Sequence, residues 1–217
     1  EGDNAPRWST PRDLPPALPA ITSDACVGID GDGLLHLACA STRGQVGYMD
    51  SRADGEHLQA ILAWGSGPED LQARDMTDEL YSRTGADALF ATSGSTVTWQ
   101  GAVLLPYVVR VGDRTHVQVV AVRGGEIQWL SDSLVGPQGI LLDETTLALW
   151  DGQLVANCRL QGFEGRGSGA RYLAWGDGRS WNGGQLWDCE DPGCNAKQLA
   201  DFFIHPHSLS SRRAGSV

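Results

Sequence analysis

Apolar residues along this chain occur in short runs separated by glycine and aspartate, and few segments show the spacing of a helix. Residues 143–159 are the clearest case: the polar pair Asp143-Glu144 precedes an apolar run, an Asp-Gly turn at Gly152, and a second run ending at Arg159. Strand residues flanking an Asp-Gly turn predict a β-hairpin. The open ends of a hairpin lie side by side, so we expect Glu144 beside Arg159. A surface ion pair of little energetic value is the alternative interpretation.

The same pattern recurs in the chain. Residues 26–39 and 97–105 also read as strand, turn and strand, and Gly33, Gly101 and Gly152 are expected at equivalent hairpin turns. The last two glycines are about 50 positions apart, whereas the first interval is longer and predicts an insertion. Further strands are expected near residues 44–50 and 58–64. Only residues 68–82 have helix-like spacing, which indicates a short surface helix or a loop.

A period near fifty with about four strands per unit is typical of a β-propeller, in which each four-stranded antiparallel blade packs against its neighbours. A β-sandwich or jelly roll is the competing architecture, but it has no reason to repeat its hairpin sequence. We therefore predict an all-β protein with about four blades' worth of residues, in a single domain that spans residues 1–217.

Composition narrows the function classes. With 41% hydrophobic and 20% charged residues, the chain is typical of a folded globular protein. Its net charge of -11, without any block of lysine or arginine, argues against nucleic acid as a partner. No apolar run approaches the roughly 20 residues that a membrane-spanning helix needs. An acidic ligand would have to be held by a local group of arginines.

The cysteines and histidines do not suggest a metal site. Five cysteines without a CxxC pair suit an exported protein, so we expect a secreted or cell-surface location. Cys189 and Cys194 could close a small loop, Cys26 could face Cys39 across a hairpin, and Cys158 would then remain as a buried thiol. No metal or cofactor is expected, because no ligand spacing is present among the histidines, which are His36, His57, His116, His205 and His207.

Several stretches resemble the exo-α-sialidases and trans-sialidases (neuraminidases), a glycosidase family with a six-bladed propeller. The similarity covers most of residues 60–217 and is most specific in the hairpin from Glu144 to Arg159. The other similar stretches are residues 74–77, 90–109, 178–181 and 204–213. Residues 178–181 resemble the end of the family's Asp-box (BNR) turn, with the aspartate shifted to Asp177 or lost, and residues 125–129 are a more degenerate copy.

The resemblance implies a partial propeller from an enzyme that hydrolyses or transfers terminal sialic acids with retention. This family uses a tyrosine nucleophile. A neighbouring glutamate can accept the proton of that tyrosine, and the resemblance gives this role to Glu144. It gives Arg159 and Arg212, with Arg213 as the alternate, the task of binding the sialic acid carboxylate, which guanidinium forks hold bidentately. An ordinary surface pair is the alternative for Arg212 and Arg213.

The chain also departs from the family. Its first arginine and its acid/base aspartate have no match here, and all the tyrosines fall at other positions: Tyr48, Tyr81, Tyr107 and Tyr172. The chain alone is therefore expected to be catalytically incomplete, with a second polypeptide or a precursor segment completing the propeller. A non-catalytic propeller that binds glycan or protein is the alternative function. The tryptophans are expected to plug the blades rather than to form sugar platforms.

Overall fold

The computed structural model describes residues 22–42, 46–137, 140–161 and 171–187, together with residues 10, 13, 18 and 19. It contains one helix, α1 (Thr77–Thr84), among these residues. The strands are β1 (Thr22–Ile29), β2 (Leu35–Ser41), β3 (Gln59–Gly65), β4 (Gln72–Asp75), β5 (Ala88–Ala91), β6 (Val97–Trp99), β7 (Ala102–Val111), β8 (Arg114–Arg123), β9 (Glu126–Leu130), β10 (Leu141–Trp150), β11 (Gln153–Gln161), β12 (Arg171–Gly176) and β13 (Trp181–Trp187). The prediction of a nearly all-β protein is confirmed.

The strands form three antiparallel sheets in chain order. The first sheet is β1-β2-β3-β4, the second is β5-β7-β8-β9, and the third is β10-β11-β12-β13. Strand β5 pairs with the second half of β7, and strand β6 pairs with the first residues of β7. Strands β5 and β6 therefore act as one interrupted first strand of this sheet. The described residues thus account for three of the roughly four blades that the length predicted.

The three predicted glycine turns are topologically equivalent. Gly33, Gly101 and Gly152 each lie in the turn that joins the first strand of a sheet to its second strand. Their φ angles are 83°, 81° and 72°, a region that favours glycine. In two of the turns the preceding residue, Gln100 or Asp151, also has a positive φ, as a two-residue type I′ turn requires.

The second sheet packs between the other two and is buried on both faces. Along β7, Val103 and Leu105 belong to the core shared with the first sheet, and Ala102 and Leu104 to the core shared with the third. Nine of its ten residues are buried, which explains why β7 is an unbroken apolar run.

The first strands of successive sheets also contact one another. Thr96 Oγ1, just before β6, donates to the carbonyl of Val27 in β1 at 2.7 Å. The Leu147 amide in β10 donates to the carbonyl of Ser95 at 2.9 Å. Sheets that stack in series with adjacent first strands are arranged as propeller blades, and not as the two layers of a sandwich.

Three local predictions need correction. Residues 47–50 form turns instead of the strand expected at 44–50, and residues 68–82 include strand β4 as well as most of α1. Cys26 and Cys39 are free thiols, because Cys26 pairs with Ala38 and the next residue of β2 therefore points to the opposite face. Cys158 is a buried free thiol, as predicted. Cys189, Cys194, His205 and His207 lie outside the described residues.

Two tryptophans tie the second sheet to the third. Trp129 Nε1 donates to the Gly178 carbonyl at 2.9 Å, Trp181 Nε1 donates to the Asp132 carbonyl at 3.0 Å, and both rings pack against the core. Asp177 Oδ1 accepts the amide of Ser180 at 2.8 Å, so an aspartate does organise the β12–β13 turn. These two tryptophans therefore act as plugs.

A buried aspartate joins the first two sheets. Asp30 Oδ2 accepts the Nε2–H of His36 at 2.8 Å and the Gly124 amide at 3.0 Å, and its Oδ1 accepts the amides of Asp32 and Leu34. Burial alone would raise the pKa of Asp30, but these hydrogen bonds outweigh it and lower the pKa to about 2. The carboxylate stabilises the fold above about pH 4, and that contribution is lost as the pH falls towards 2.

Replacing Asp30 with asparagine is therefore expected to lower the free energy of unfolding by about 2 kcal/mol at pH 7. At pH 2.5 the difference from wild type should fall to less than half, because the stabilisation is lost as the pH approaches the folded-state pKa of about 2. Urea denaturation at both pH values measures this, with the exposed Asp113→Asn as the control. A loss of equal size at both pH values would contradict the assignment.

Candidate functional site

Glu144 and Arg159 are in contact at the end of the third sheet opposite the Gly152 turn. Arg159 Nη1 donates to Glu144 Oε2 at 2.8 Å, and it lies 3.9 Å from Asp143 Oδ2. The side chains of Glu144 and Arg159 are 17% and 25% exposed, so the pair is largely shielded from water. The contact predicted from the hairpin pattern is confirmed, and it is not an ordinary exposed ion pair.

A β-bulge brings both carboxylates to the same guanidinium. Leu142 pairs with Leu160 and Thr145 pairs with Cys158, so Asp143 and Glu144 together oppose the single residue Arg159. In a regular strand, successive side chains point to opposite faces of the sheet. The bulge removes this alternation and directs two acidic groups to one point, which the sequence pattern did not reveal.

Asp143 is the more deeply buried of the two acids. Its side chain is 7% exposed, and its Oδ2 accepts a hydrogen bond from Gln161 Nε2. Burial raises the pKa of Asp143, the neighbouring Glu144 carboxylate raises it further, and Arg159 and the hydrogen bond from Gln161 offset only part of this. A buried carboxyl with a raised pKa is a candidate to exchange a proton with a ligand.

The second sheet holds β10 just beyond the bulge. Thr92 lies in the stretch between β5 and β6, and its Oγ1 donates to the carbonyl of Thr145 at 2.7 Å. A side chain on Gly94 would overlap that carbonyl oxygen and would lie 2.8 Å from Thr146 Oγ1. Glycine is therefore needed at this position for the two backbones to approach.

A tyrosine from the first sheet reaches the same end. Tyr48 lies in the connection between β2 and β3, where its ring meets Phe90 edge-on, with centroids 4.7 Å apart. Arg110, at the end of β7, holds this connection by donating to the carbonyls of Tyr48 and Met49 at 2.8 and 3.0 Å, and to that of Ser51. Sequence reasoning missed both Tyr48 and Arg110.

The Asp143 carboxylate of the third sheet affects the pKa of the Tyr48 hydroxyl. Burial raises the pKa of Tyr48, and the Asp143 carboxylate raises it further. The hydroxyl oxygen is buried and finds no hydrogen-bond partner among the residues that the structure describes. Tyr48 from the first sheet and the charged residues of the third sheet are therefore assigned to one site, and we call Tyr48, Asp143, Glu144 and Arg159 the acid–arginine site.

The remaining sequence-predicted residues lie elsewhere. Arg212 and Arg213 are outside the described residues, so the two-arginine clamp stays a prediction. Arg171, which sequence reasoning missed, is the cross-strand partner of Arg159 and is 2% exposed. Tyr107 lies in the core between the first and second sheets and not at this site.

Within the part of the chain that the structure describes, no group of three or more His, Cys, Asp or Glu residues is arranged to hold a metal ion. None of its helices is long and apolar enough to cross a membrane.

Comparison with known proteins points to one fold. No family model matches the chain, and no curated protein matches its sequence. Among solved structures, it resembles Trypanosoma rangeli sialidase in complex with the inhibitor DANA, with a TM-score of 0.55 and 15% identity over 82% of this chain and 31% of that one. The covalent intermediate of T. rangeli sialidase with 2,3-difluorosialic acid gives a TM-score of 0.53 and 15% identity, over 77% and 28% of the two chains.

T. rangeli sialidase without a named ligand gives a TM-score of 0.52, again at 15% identity, over 77% of this chain and 29% of that one. The chain thus spans less than a third of the length of these structures. The likeness shows the fold: the three sheets are arranged as part of a sialidase-like propeller.

Proposed function

We propose that this chain is the sialic-acid-binding part of a sialidase-type glycoside hydrolase that acts on terminal sialic acids with retention, by hydrolysis or transfer. The observation that carries the proposal is the shielded contact between Glu144 and Arg159 in the third sheet of a sialidase-like fold. The structural neighbours were solved with DANA and with a difluorosialic acid, which supports a sialylated ligand. The same proposal includes a secreted or cell-surface location. The three described cysteines are free thiols, so of the disulfides considered only the one between Cys189 and Cys194 remains to favour it.

The chemistry of the site fits an acidic sugar. A guanidinium has five donors in a planar fork, so Arg159 can bind a substrate carboxylate while Nη1 keeps its bond to Glu144. Glycoside cleavage develops positive charge in an oxocarbenium-like transition state, and the carboxylates of Asp143 and Glu144 would stabilise that charge. Glu144 is proposed as the base for a tyrosine nucleophile, and Arg212 or Arg213 as the second guanidinium.

The proposal includes further propeller segments, from the same protein or from a partner chain. Val27 and Ile29 in β1 are 49% and 56% exposed. Cys26, which directly precedes Val27, belongs to the core that the first sheet shares with the second sheet. Side chains alternate along a strand, so Val27 and Ile29 point to the opposite face. Large apolar side chains on an open sheet face favour an additional blade over a solvated surface.

Purified residues 1–217 alone are expected not to release the fluorophore from a fluorogenic sialoside above the level of a Glu144→Gln variant. Retaining cleavage needs a nucleophile and a proton donor, and acid–base help alone typically supplies about 10²–10⁴-fold in rate. By resemblance, the nucleophilic tyrosine and the acid/base aspartate have no match in this chain. Robust release that Glu144→Gln abolishes would contradict the incomplete-catalyst proposal, and Asp143 would be the first acid to test.

A non-catalytic propeller that binds glycan is the second candidate. It is favoured by the observation that Arg159 already pairs with Glu144, since an ion pair can hold a ligand without any chemistry. A longer natural form of the protein distinguishes the two: hydrolysis of the sialoside by that form identifies an enzyme, and saturable binding without hydrolysis identifies a binding module.

A further inference from the structure

The Tyr48 hydroxyl is an unusual feature of the acid–arginine site. Buried polar groups are nearly always hydrogen-bonded, yet this oxygen is buried without a hydrogen-bond partner in the part of the chain that the structure describes. Tyr81, near the same connection, shows the usual arrangement, because its hydroxyl donates to the carbonyl of Leu58 at 3.1 Å. A donor left unsatisfied beside charged groups points to a ligand that completes it.

The connection that carries Tyr48 is held rigidly. Arg110 is 8% exposed, and its guanidinium binds three carbonyls of this connection while lying 5.3 Å from the centroid of the Tyr48 ring. The amides of Asp50 and Ser51 both donate to the carbonyl of Gly47, at 3.1 and 3.0 Å. A side chain fixed in this way loses little conformational entropy when it binds a ligand.

The cross-strand neighbour of Arg110 contacts the start of β10. Thr115 is the register partner of Arg110, and its Oγ1 donates to the carbonyl of Leu142 at 2.6 Å. Leu142 directly precedes Asp143 and Glu144. The connection from the first sheet is thus placed beside the carboxylates of the third sheet by contacts that run through the second sheet.

We propose that Tyr48 is a ligand-binding residue of the acid–arginine site, and that Arg110 is the positioning residue that fixes it there. Tyr48 donates its hydroxyl hydrogen to an acceptor oxygen of the acidic sugar whose carboxylate Arg159 holds. This assignment rests on the proposed function and adds a contact from another blade.

The surroundings of Tyr48 favour the role of donor over that of nucleophile. Burial and the Asp143 carboxylate both raise the pKa of Tyr48, so the proton stays on the phenol at neutral pH. A neutral hydroxyl beside Asp143 can approach an anionic sugar without adding negative charge. Tyr48 therefore binds the ligand and forms no bond to its anomeric carbon.

The test compares two Tyr→Phe variants, each of which removes a buried hydroxyl that has no partner among the described residues. Tyr48→Phe is expected to weaken binding of α2,3-sialyllactose to the full chain by about five- to tenfold, the usual range for one hydrogen bond. Tyr107→Phe is the matched control, because among the described residues its hydroxyl is also buried without a partner, but it lies in the core between the first and second sheets. The control should leave the affinity unchanged, and thermal unfolding should show that both variants fold.

A double-mutant cycle tests the role of Arg110. Arg110→Lys should weaken binding in the wild-type background and should cause no further loss in the Tyr48→Phe background. An equal loss in both backgrounds would identify a merely structural role for Arg110 and overturn that assignment. If the wild-type chain binds sialyllactose and Tyr48→Phe binds it equally well, the assignment of Tyr48 is wrong and the proposed function stands. If the wild-type chain binds none, the proposed function itself fails and the assignment of Tyr48 falls with it.

Discussion

Replacing Gly94 with alanine is expected to lower the free energy of unfolding by about 2–3 kcal/mol and to abolish ligand binding, because the new methyl group meets backbone. It would overlap the carbonyl oxygen of Thr145 and lie 2.8 Å from Thr146 Oγ1. The Thr145 oxygen is backbone and cannot turn aside, and Thr146 is a short, buried side chain, so β10 must move away from the second sheet. Thr145 directly follows Glu144, and the displacement therefore reaches the bulge.

Urea denaturation and ligand titration of the same sample measure both effects. Gly67→Ala is the matched control, since a methyl group there meets no atom within 4 Å, and the bond from the Gly67 amide to Asp70 Oδ1 is retained. The control should change stability by less than about 0.5 kcal/mol. If Gly94→Ala is as harmless as the control, the close approach of β10 to the second sheet is wrong.

Replacing Arg159 with lysine is expected to reduce the affinity for sialyllactose by about 10- to 100-fold while the protein stays folded. Lysine keeps a positive charge beside Asp143 and Glu144, so the two shielded carboxylates are not left unpaired. It lacks the planar fork that binds a ligand carboxylate with two parallel hydrogen bonds. A charge-assisted hydrogen bond contributes about 1.5–3 kcal/mol, which corresponds to this loss of affinity.

Arg123→Lys is the control for this experiment. Arg123 binds Asp32 bidentately, through Nε at 2.6 Å and Nη2 at 2.7 Å, at the opposite end of the sheets. Its replacement disturbs another, more exposed arginine–carboxylate pair and should leave the affinity for sialyllactose unchanged. Equal losses in the two variants would indicate a general effect of charge, and no loss in Arg159→Lys would remove Arg159 from the binding site.

Contacts between residues close in the sequence could be predicted at this site, and contacts between residues far apart in the sequence could not. Glu144 and Arg159 are 15 residues apart, and an Asp-Gly turn with a known hairpin geometry connects them, so local pattern was sufficient to pair them. Arg110 and the carbonyl of Tyr48 are 62 residues apart, and their contact depends on how the second sheet packs against the first. The bulge at Asp143 was also missed, since an extra residue leaves no mark in the apolar pattern.

In the fold, too, local turns could be predicted, whereas features that depend on packing or on strand register could not. The turns at Gly101 and Gly152 were predictable because their backbone has positive φ, which glycine adopts without strain. The strand expected at residues 44–50 is absent from the described part of that stretch because the carbonyls of Tyr48 and Met49 bond to Arg110 instead of to a neighbouring strand. The disulfide suggested for Cys26 and Cys39 failed because one residue of register decides which face a side chain occupies.

The central claim, that the acid–arginine site binds a terminal sialic acid, is tested most directly by calorimetric titration of residues 1–217 with α2,3-sialyllactose and, separately, with lactose. The two ligands differ only in the sialic acid that Arg159 is proposed to hold. We predict saturable binding of sialyllactose that Arg159→Lys weakens by about 10- to 100-fold, and no measurable binding of lactose. Equal binding of the two sugars, or no binding of either, would contradict the account.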